Sequence, residues 1–572
     1  MISVEHSFFE KFPRLATGLA RNFSRPVVEL LRRIACEDRV NRALVEFASS
    51  AGFDFIERVL EKFDVGYRLS HVERENIPVQ GRVVLVANHP LGAFDALALL
   101  HLVGSVRRDV RVLGNDVLAQ FPQLDSLLLP INVFGGAGAS TARLREAYRA
   151  LELEQALIVF PAGEVSRICP IGVRDRRWST GFVRMARRTG SPVLPVHIAA
   201  HNSPTFYGVS MLAKPLSSLL LAREMLAPQA QLDIRVGEPV AAAELGLVDA
   251  DPDPVAQAMR RHVYQLARRR PTVFTTSRTI AHPESPLAIR QALKRAQELG
   301  TTQDGKRVLL LDAQPDCPVL REIGRLRELS FRRVGEGSGR RRDIDRFDMH
   351  YRHLVLWDEP SLAIIGAYRL GEGARILAEQ GVAGLYSSTL FDYASQAREF
   401  IAQGVELGRS FIRPEYWNSR SLECLWQGIG AYLRHRPDLR YLFGPVSISA
   451  TLPPIAREWI VHCHRHYFGD RESLAVARTP VGISAQVDAV ATQAWVNKDA
   501  RTGLLHLKRQ LASLDVCIPP LYKHYVDLCE PEGVRFLTFG TDPGFGHCVD
   551  GLIRLDLGFL RASKRARYLQ VA

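Results

Sequence analysis

The chain has 572 residues, 47% of them hydrophobic and 24% charged, and a formal net charge of +13. This composition excludes a disordered or low-complexity chain, and the length excludes a single ordinary core, so two or more domains are expected. The basic balance points to an acidic partner (a membrane surface, an acidic carrier protein or nucleic acid) or to no special partner at all. Eight scattered cysteines, none in a CxxC pair, suggest reduced, cytosolic usage rather than a disulfide frame or zinc site. The start, "MISVEHSFFEKF", has no apolar signal region. No apolar run reaches the about 18 residues of a spanning helix.

Residues 1–60 predict helices, with apolar residues at helical spacing in "RPVVELLRRIACEDRVNRALVEFASS". With Phe8, Phe9, Phe12 and several arginines, this segment either lies on a membrane or caps the next domain. From 61 to 275 strands alternate with helices, as in an α/β domain. The strand candidates are Val83–Ala87, Val110–Leu113, Ala156–Phe160, Val193–Ala199 and Leu232–Val236; Ser140–Leu153 and Thr180–Thr189 are helical. Residues 276–305, with prolines, a polar helix and a glycine turn, are expected to link the domains. A second domain, 306–572, opens with the strand "RVLLLDAQ" and the helix "PVLREIGRLRELSFRRV". The strand pair "HLVLWDE" and "LAIIGAYRL" follows, then a helix near 392–403, the strand "GVELGRSFI", helix 421–434 and the strand "RYLFGPVSIS". The group His462, Cys463, His464, His466 lacks a matching second half of a ligand set, so it reads as a His-rich helix and no metal is expected.

Four pieces of the first domain fall at strand ends: Asn88-His89 with Asp95, Leu113–Gly135, "IVFPAGEVSR" (158–167) and "PVLPVHIAAHNS" (192–203). Loops at the carboxyl ends of strands converge on one crevice, so these pieces can share a site. A neutral imidazole is a suitable base for an alcohol, and a carboxylate on its other nitrogen fixes the tautomer. Asp95 also precedes "ALALL" as a helix cap would, and either role or both fit. In their order the pieces resemble the glycerophosphate and lysophospholipid acyltransferase family over roughly residues 65–240. Asn88, His89 and Asp95 match its first block, except that five residues rather than four separate His from Asp; Pro90 and Gly92 supply a loop able to absorb the extra one. Phe160, Pro161, Gly163 and Ser166 match its Phe-Pro-Glu-Gly-Thr-Arg-Ser block, but Ala162 replaces the Glu. Glu164 and Arg167 are candidates for the equivalent charges, with Arg167 holding an anionic head group. The resemblance implies acyl transfer from a thioester to a hydroxyl, with Asn88, Gly163, Glu164, Ser166 and Arg167 binding substrate around His89 and Asp95. The missing Glu suggests an acceptor other than glycerol phosphate, such as one bearing an amino acid.

In the second domain, Arg340–Arg342 is followed by Asp343, Asp345 and Asp348, a run that reads as a solvated loop or, before two apolar strands, as a pocket lining. Arg327-Glu328, Asp343, Asp345, Asp348, Gly366, Arg369, Glu406 and Arg409 resemble the acyl-carrier-protein-dependent N-acyltransferases. Those include the ornithine N-acyltransferases, often labelled hemolysin-like, and more distantly the acyl-homoserine-lactone synthases; the likeness covers roughly 306–560. It implies an N-acetyltransferase-like fold and amide formation, with Glu406 as the candidate base unless it forms a structural ion pair with Arg409. Asp343 and Asp345 would bind a cationic amino acid, and Arg327, Asp348, Arg369 and Arg409 would line the pocket. The turn Asn418-Ser419-Arg420-Ser421 stands where coenzyme-A binders carry glycines, which favours acyl carrier protein over acyl-CoA as donor.

The expectation is therefore an α/β chain of two domains. A glycerolipid-acyltransferase fold behind N-terminal helices (1–60 and 61–275) is joined to an N-acetyltransferase-like fold (306–572), resembling the bifunctional ornithine-lipid synthases. The second domain would N-acylate an amino acid, ornithine favoured, from 3-hydroxyacyl carrier protein. The first would O-acylate the new hydroxyl, with tethering keeping the lyso intermediate local. The protein would bind no cofactor or nucleic acid and sit peripherally on the cytoplasmic side of the bacterial inner membrane. The alternatives are a glycerophospholipid acyltransferase with a degenerate second domain and a non-enzymatic membrane-binding protein.

Overall fold

The computed structural model describes residues 37–47, 49–114, 121–130, 137–169, 172–200, 230–268, 270–417 and 419–569, with isolated residues before 37. Much of the aromatic start (Phe8, Phe12), parts of the Leu113–Gly135 block, the end of the 192–203 block and Asn418 lie outside the described residues. The chain forms two compact units, Met1–Ala281 and His282–Ala572.

The first unit holds α1 (Glu37–Val45) and α2 (Gly52–Lys62), then a seven-stranded sheet in the order β1-β9-β8-β2-β5-β3-β4. Its strands are β1 (Val65–Arg68), β2 (Val83–Ala87), β3 (Val110–Gly114), β4 (Leu128–Pro130), β5 (Ala156–Val159), β8 (Val193–Ala199) and β9 (Ala230–Val236). Neighbours are parallel except β8 and β9, so the sheet is mixed. A small hairpin, β6 (Arg167–Cys169) and β7 (Gly172–Arg174), stands apart. All five residues of β2 are buried, as an unbroken apolar run requires when helices cover both faces. On one face, α2 and α3 (Ala93–Gly104) contribute Ile56, Val59, Leu97 and Leu100. On the other, α4 (Ala137–Glu152), α5 (Gly181–Thr189) and α6 (Asp253–Leu266) contribute Leu151, Phe182, Val183 and Met259. Helix α3 is apolar all round and correspondingly buried.

The boundary falls inside the segment expected as a linker, and most of that segment belongs to the second unit. Pro286 opens a helix, α7 (Pro286–Leu293), that buries Ile289 and Leu293. Gln297–Thr301 is an edge strand, β10, with Leu299 as its one buried residue. An edge strand with a single inward side chain has no alternation to read, so residues 297–301 read as part of the polar helix and glycine turn.

The second unit is an eight-stranded sheet in the order β10-β11-β12-β13-β15-β16-β19-β18. Its other strands are β11 (Arg307–Asp312), β12 (Arg352–Asp358), β13 (Ala363–Glu372), β15 (Gly404–Ile412), β16 (Tyr441–Ile448), β18 (Val534–Asp542) and β19 (Cys548–Asp556). Strands β14 (Phe391–Tyr393) and β17 (Ala475–Ala477) form a separate ribbon. Helices α8 (Pro318–Arg333), α9 (Ser421–His435) and α10 (Pro454–Phe468) carry large buried faces. The His-rich stretch lies on α10, where His462 Nδ1 accepts from Trp495 Nε1 at 2.9 Å and His464 Nδ1 sits 2.7 Å from the Ile460 carbonyl.

Every neighbouring pair in this sheet is antiparallel except β15 and β16. Their pairing runs only from Gly404↔Tyr441 to Glu406↔Phe443, after which the strands part. A local irregularity accompanies the separation. Strand β15 bulges at Arg409 and Ser410, which together oppose Tyr368 of β13, and Arg409 takes a left-handed φ of 50°. Just past the last pair the strands are still close: Gly444 has φ 149°, and a Cβ there would stand 2.2 Å from the Leu407 carbonyl oxygen, so glycine permits this approach. Beyond Glu406↔Phe443 no strand pairing joins the facing edges of β15 and β16.

Candidate active sites

In the first unit the site grows from the end of β2. Asn88 is buried, and its amide bridges to β8, donating to the Ile198 carbonyl at 2.8 Å and accepting from the Ile198 N–H at 2.7 Å. Its side chain therefore fixes the strand end rather than facing substrate. His89 follows on the loop that Gly92 turns with φ 89°. Asp95 enters at the third position of α3, and its Oδ2 accepts from the Leu91 and Gly92 N–H groups at 2.8 and 3.0 Å. The same oxygen lies 3.0 Å from His89 Nδ1. Asp95 thus caps the helix with the same atom that stands beside the imidazole, and the loop absorbs the extra residue. The His89 ring stacks at 4.3 Å on Phe160.

The loop after β5 and the residue that follows β7 grip the His89 backbone from its two sides. The Ser166 N–H donates to the His89 carbonyl at 2.7 Å, and the His89 N–H donates to Asp175 Oδ1 at 3.2 Å. Ser166 Oγ donates to that same Asp175 oxygen, so Ser166 holds His89 in place through main chain and side chain together. Asp175 also accepts from Trp178 Nε1 at 2.8 Å. Burial pushes its carboxyl up, against these three donors, which favour its charge. Gly163 turns the loop with φ 65°. Arg167 does not stand as a bare cation for a head group: its Nη2 lies 2.9 Å from Glu164 Oε2, and Glu164 is also 3.5 Å from Arg176. Sequence reasoning passed over Asp175, because an acid inside "GVRDRRWS" reads as one more solvated charge.

In the second unit the six charged candidates around Asp348 form one buried network. Arg327 Nη1 pairs with Asp348 at 2.7 Å, and Arg369 Nη1 with Asp345 at 2.7 Å and Asp348 at 3.3 Å. Arg409 Nε lies 3.1 Å from Asp343. Burial would raise the Asp348 carboxyl, but Arg327 and Arg369 overcome it and hold it far below the usual carboxylate range. His353, wedged against Arg327, is pushed down to about 4 by burial and by that guanidinium. Asp343 and Asp345, expected to receive a cationic amino acid, already face Arg409 and Arg369. Their part is to position those arginines beside Tyr386, whose ring centroid lies 4.9 Å from Arg369 and 4.7 Å from Arg409.

Glu406 also departs from its expected part. It is 1% exposed at the last paired position of β15, and its carboxylate accepts from Tyr351 Oη, from the Tyr386 N–H at 3.1 Å and from the Ser387 N–H at 2.7 Å. Three donors take three of the roughly four acceptor sites of a carboxylate, as befits an anchor. Nor does it pair with Arg409; it ties β15 to the 386–387 turn. The matched Glu328 is likewise an anchor, accepting from Ser338 N–H, Gly339 N–H and Arg332 Nε at 3.1, 2.9 and 2.6 Å.

A set of groups without sequence signal stands on the same face of the parted strands. Ser447, on the free arm of β16, donates to Glu336 Oε2 at 2.9 Å, and Asp550 lies directly opposite Ser447 on β19. Asp542, on β18, accepts from Tyr386 Oη at 3.3 Å. These carboxylates come from a turn after α8 and from two strands some two hundred residues later, so no local pattern announces them.

A split sheet in one unit and a strand-end His–Asp pair in the other define the class: an acyltransferase built of two acyl-transfer units. Residues 9–269 match the acyltransferase family and residues 326–427 the acetyltransferase (GNAT) domain. The chain is 32% identical over 224 residues to a lyso-glycine lipid O-acyltransferase of Phocaeicola vulgatus, covering 38% of this chain and 79% of that relative. It is 28% identical over 305 residues to a glycine N(alpha)-acyltransferase of Bacteroides thetaiotaomicron, covering 51% and 89%. It is 31% identical over 208 residues to an L-ornithine N(alpha)-acyltransferase of Agrobacterium fabrum, covering 35% and 64%. The chain belongs to the acyltransferase family and carries a GNAT-type domain in addition. Among the described residues, no helix is long and apolar enough to cross a membrane.

Proposed function

We propose that this enzyme makes a diacylated amino lipid by two successive acylations. The second unit transfers a 3-hydroxyacyl group from its thioester to the α-amino group of an amino acid. The first unit then esterifies the hydroxyl this step installed. The observation that carries the reading is similarity, within one chain, both to amino-acid N-acyltransferases and to a lyso-lipid O-acyltransferase, two activities that are consecutive on one product. Acyl carrier protein is the favoured donor, its acidic surface suiting a chain of net charge +13, with acyl-CoA as the other candidate. The match to ornithine-named relatives supports ornithine as the amino acid, and the longer match to glycine-named relatives supports glycine. The lipid product suits peripheral attachment to the cytoplasmic face of the inner membrane.

In the O-acylation, Asp95 holds His89 through Nδ1, which leaves Nε2 to take the hydroxyl proton as oxygen attacks the thioester carbon. The C–S bond then breaks and the proton passes from His89 to the leaving thiolate. Expression in a host without amino lipids, followed by lipid mass spectrometry, tests the whole reading. A diacylated amide lipid of ornithine or glycine is expected; absence of any amide-linked lipid overturns it.

A further inference from the structure

We infer that Glu336 and Asp550, with Asp542 beside them, form the receptor for the acceptor's amino group in the second unit and take its proton during amide formation. The inference rests on the N-acylation proposed above and assigns the proton transfer to groups other than the anchored Glu406.

The first ground is position. Among the described residues, the facing edges of β15 and β16 beyond Glu406↔Phe443 have no strand pairing between them, which leaves an edge inside the sheet that an extended amide-bearing ligand can use. Ser447 lies on one arm, Arg409 on the other, and both face the carboxylates: Ser447 donates to Glu336, and antiparallel register sets Asp550 on the same face as Ser447. The close approach of the 542–548 loop to the turn after α8 brings Asp542 in; a Cβ on Gly546 would lie 2.3 Å from the Gly335 carbonyl oxygen.

The second ground is the state of Asp550 itself. It is 6% exposed, yet among the described residues the one hydrogen bond to its carboxylate is from the Cys548 thiol, at 3.8 Å. A buried carboxylate is ordinarily satisfied by stronger donors than a thiol. Among the described residues, the groups facing it are Asp542, Glu336, Cys548, Tyr522, Tyr386 and Arg409, of which Arg409 is the one cation, and that guanidinium is engaged by Asp343. An ammonium is the ligand this surplus of negative charge lacks. Burial, reinforced by Asp542 and Glu336, pushes the Asp550 carboxyl up to about 7, and burial brings Glu336 to about 7. Groups so poised accept a proton near neutral pH and release it again.

The step balances. One ammonium proton passes to the carboxylate, the freed nitrogen lone pair forms the C–N bond with the thioester carbon, and the C–S bond breaks. The second nitrogen proton ends on the thiolate, and the carboxyl returns its proton to solvent.

The test uses purified full-length protein with 3-hydroxyacyl-CoA and 3-hydroxyacyl carrier protein as donors and ornithine and glycine as acceptors. Asp550→Asn and Glu336→Gln are each compared with wild type for N-acylation rate against pH and for melting temperature. The expected result is at least a roughly 100-fold loss of kcat/KM, with the acid limb near neutral pH altered or lost. The melting temperature should hold or rise above pH 7. The folded carboxyl keeps its proton to about 7 and the unfolded one releases it near 4, so the native group drains stability as pH rises between them. Undiminished rates with an unchanged pH limb overturn the inference, as does a fall in melting temperature that accounts for the lost rate. A wild-type protein that forms no amide with either donor and either acceptor overturns the proposed reaction, and this inference with it.

Discussion

Asp95 serves three neighbours with one oxygen: two N–H groups of its own helix start and the Nδ1 face of His89. This economy allows a clean separation of roles. Asp95→Asn retains an oxygen for the helix N–H groups but removes the charge that stabilises imidazolium. O-acylation should fall by roughly 10²- to 10⁴-fold with little change in melting temperature. His89→Ala should leave the N-acyl lyso-lipid accumulating without diacylated product. Diacyl lipid at wild-type level from either variant, read by lipid mass spectrometry, would show that the pair is not the catalytic one. Asp175 works one layer behind, holding the His89 main chain, and its effect on rate would pass through the position of the imidazole.

At the scale of elements, the second unit depends on where β15 and β16 stop pairing. Glu406 stands at that point and is tied to the 386–387 turn by two N–H groups and a phenol. Glu406→Gln replaces charge-assisted hydrogen bonds with weaker ones, at a cost of about 2 kcal/mol. A lower midpoint in chemical denaturation is expected, with the neutral-pH limb of N-acylation kept. Disappearance of that limb with unchanged stability would return Glu406 to the part of a base. The buried arginines behave likewise as elements of a frame: Arg327, Arg369 and Arg409 are held by Asp348, Asp345 and Asp343, so removing one partner leaves an uncompensated buried charge.

For the whole molecule, two units on one chain raise the local concentration of an intermediate without requiring its direct transfer. The proposed intermediate is a lipid that can leave one chain and meet another. Co-expression of a His89→Ala chain with an Asp550→Asn chain should therefore restore the diacyl lipid, at lower yield than wild type, in the same mass-spectrometric assay. Failure of this pair, with each chain expressed and folded, would mean that the intermediate does not pass between chains.

What the sequence determined by itself was local or contiguous. The strands Val83–Ala87 and Val193–Ala199, the helix near 421–434 and the His89–Asp95 juxtaposition all follow from short-range pattern, because an apolar run or a strand-end loop is written in consecutive residues. The matches to an acyltransferase and a GNAT-type domain were legible for the same reason. Only the tertiary structure decided which charges face one another. It turned Asp343, Asp345 and Glu406 from candidate ligands into anchors, because arginines and backbone N–H groups arrive at them from other strands. It also gathered Glu336, Asp542 and Asp550 beside a split in the sheet. The desolvation and mutual repulsion that give those carboxyls their character arise between segments far apart in the chain, and no local pattern records them.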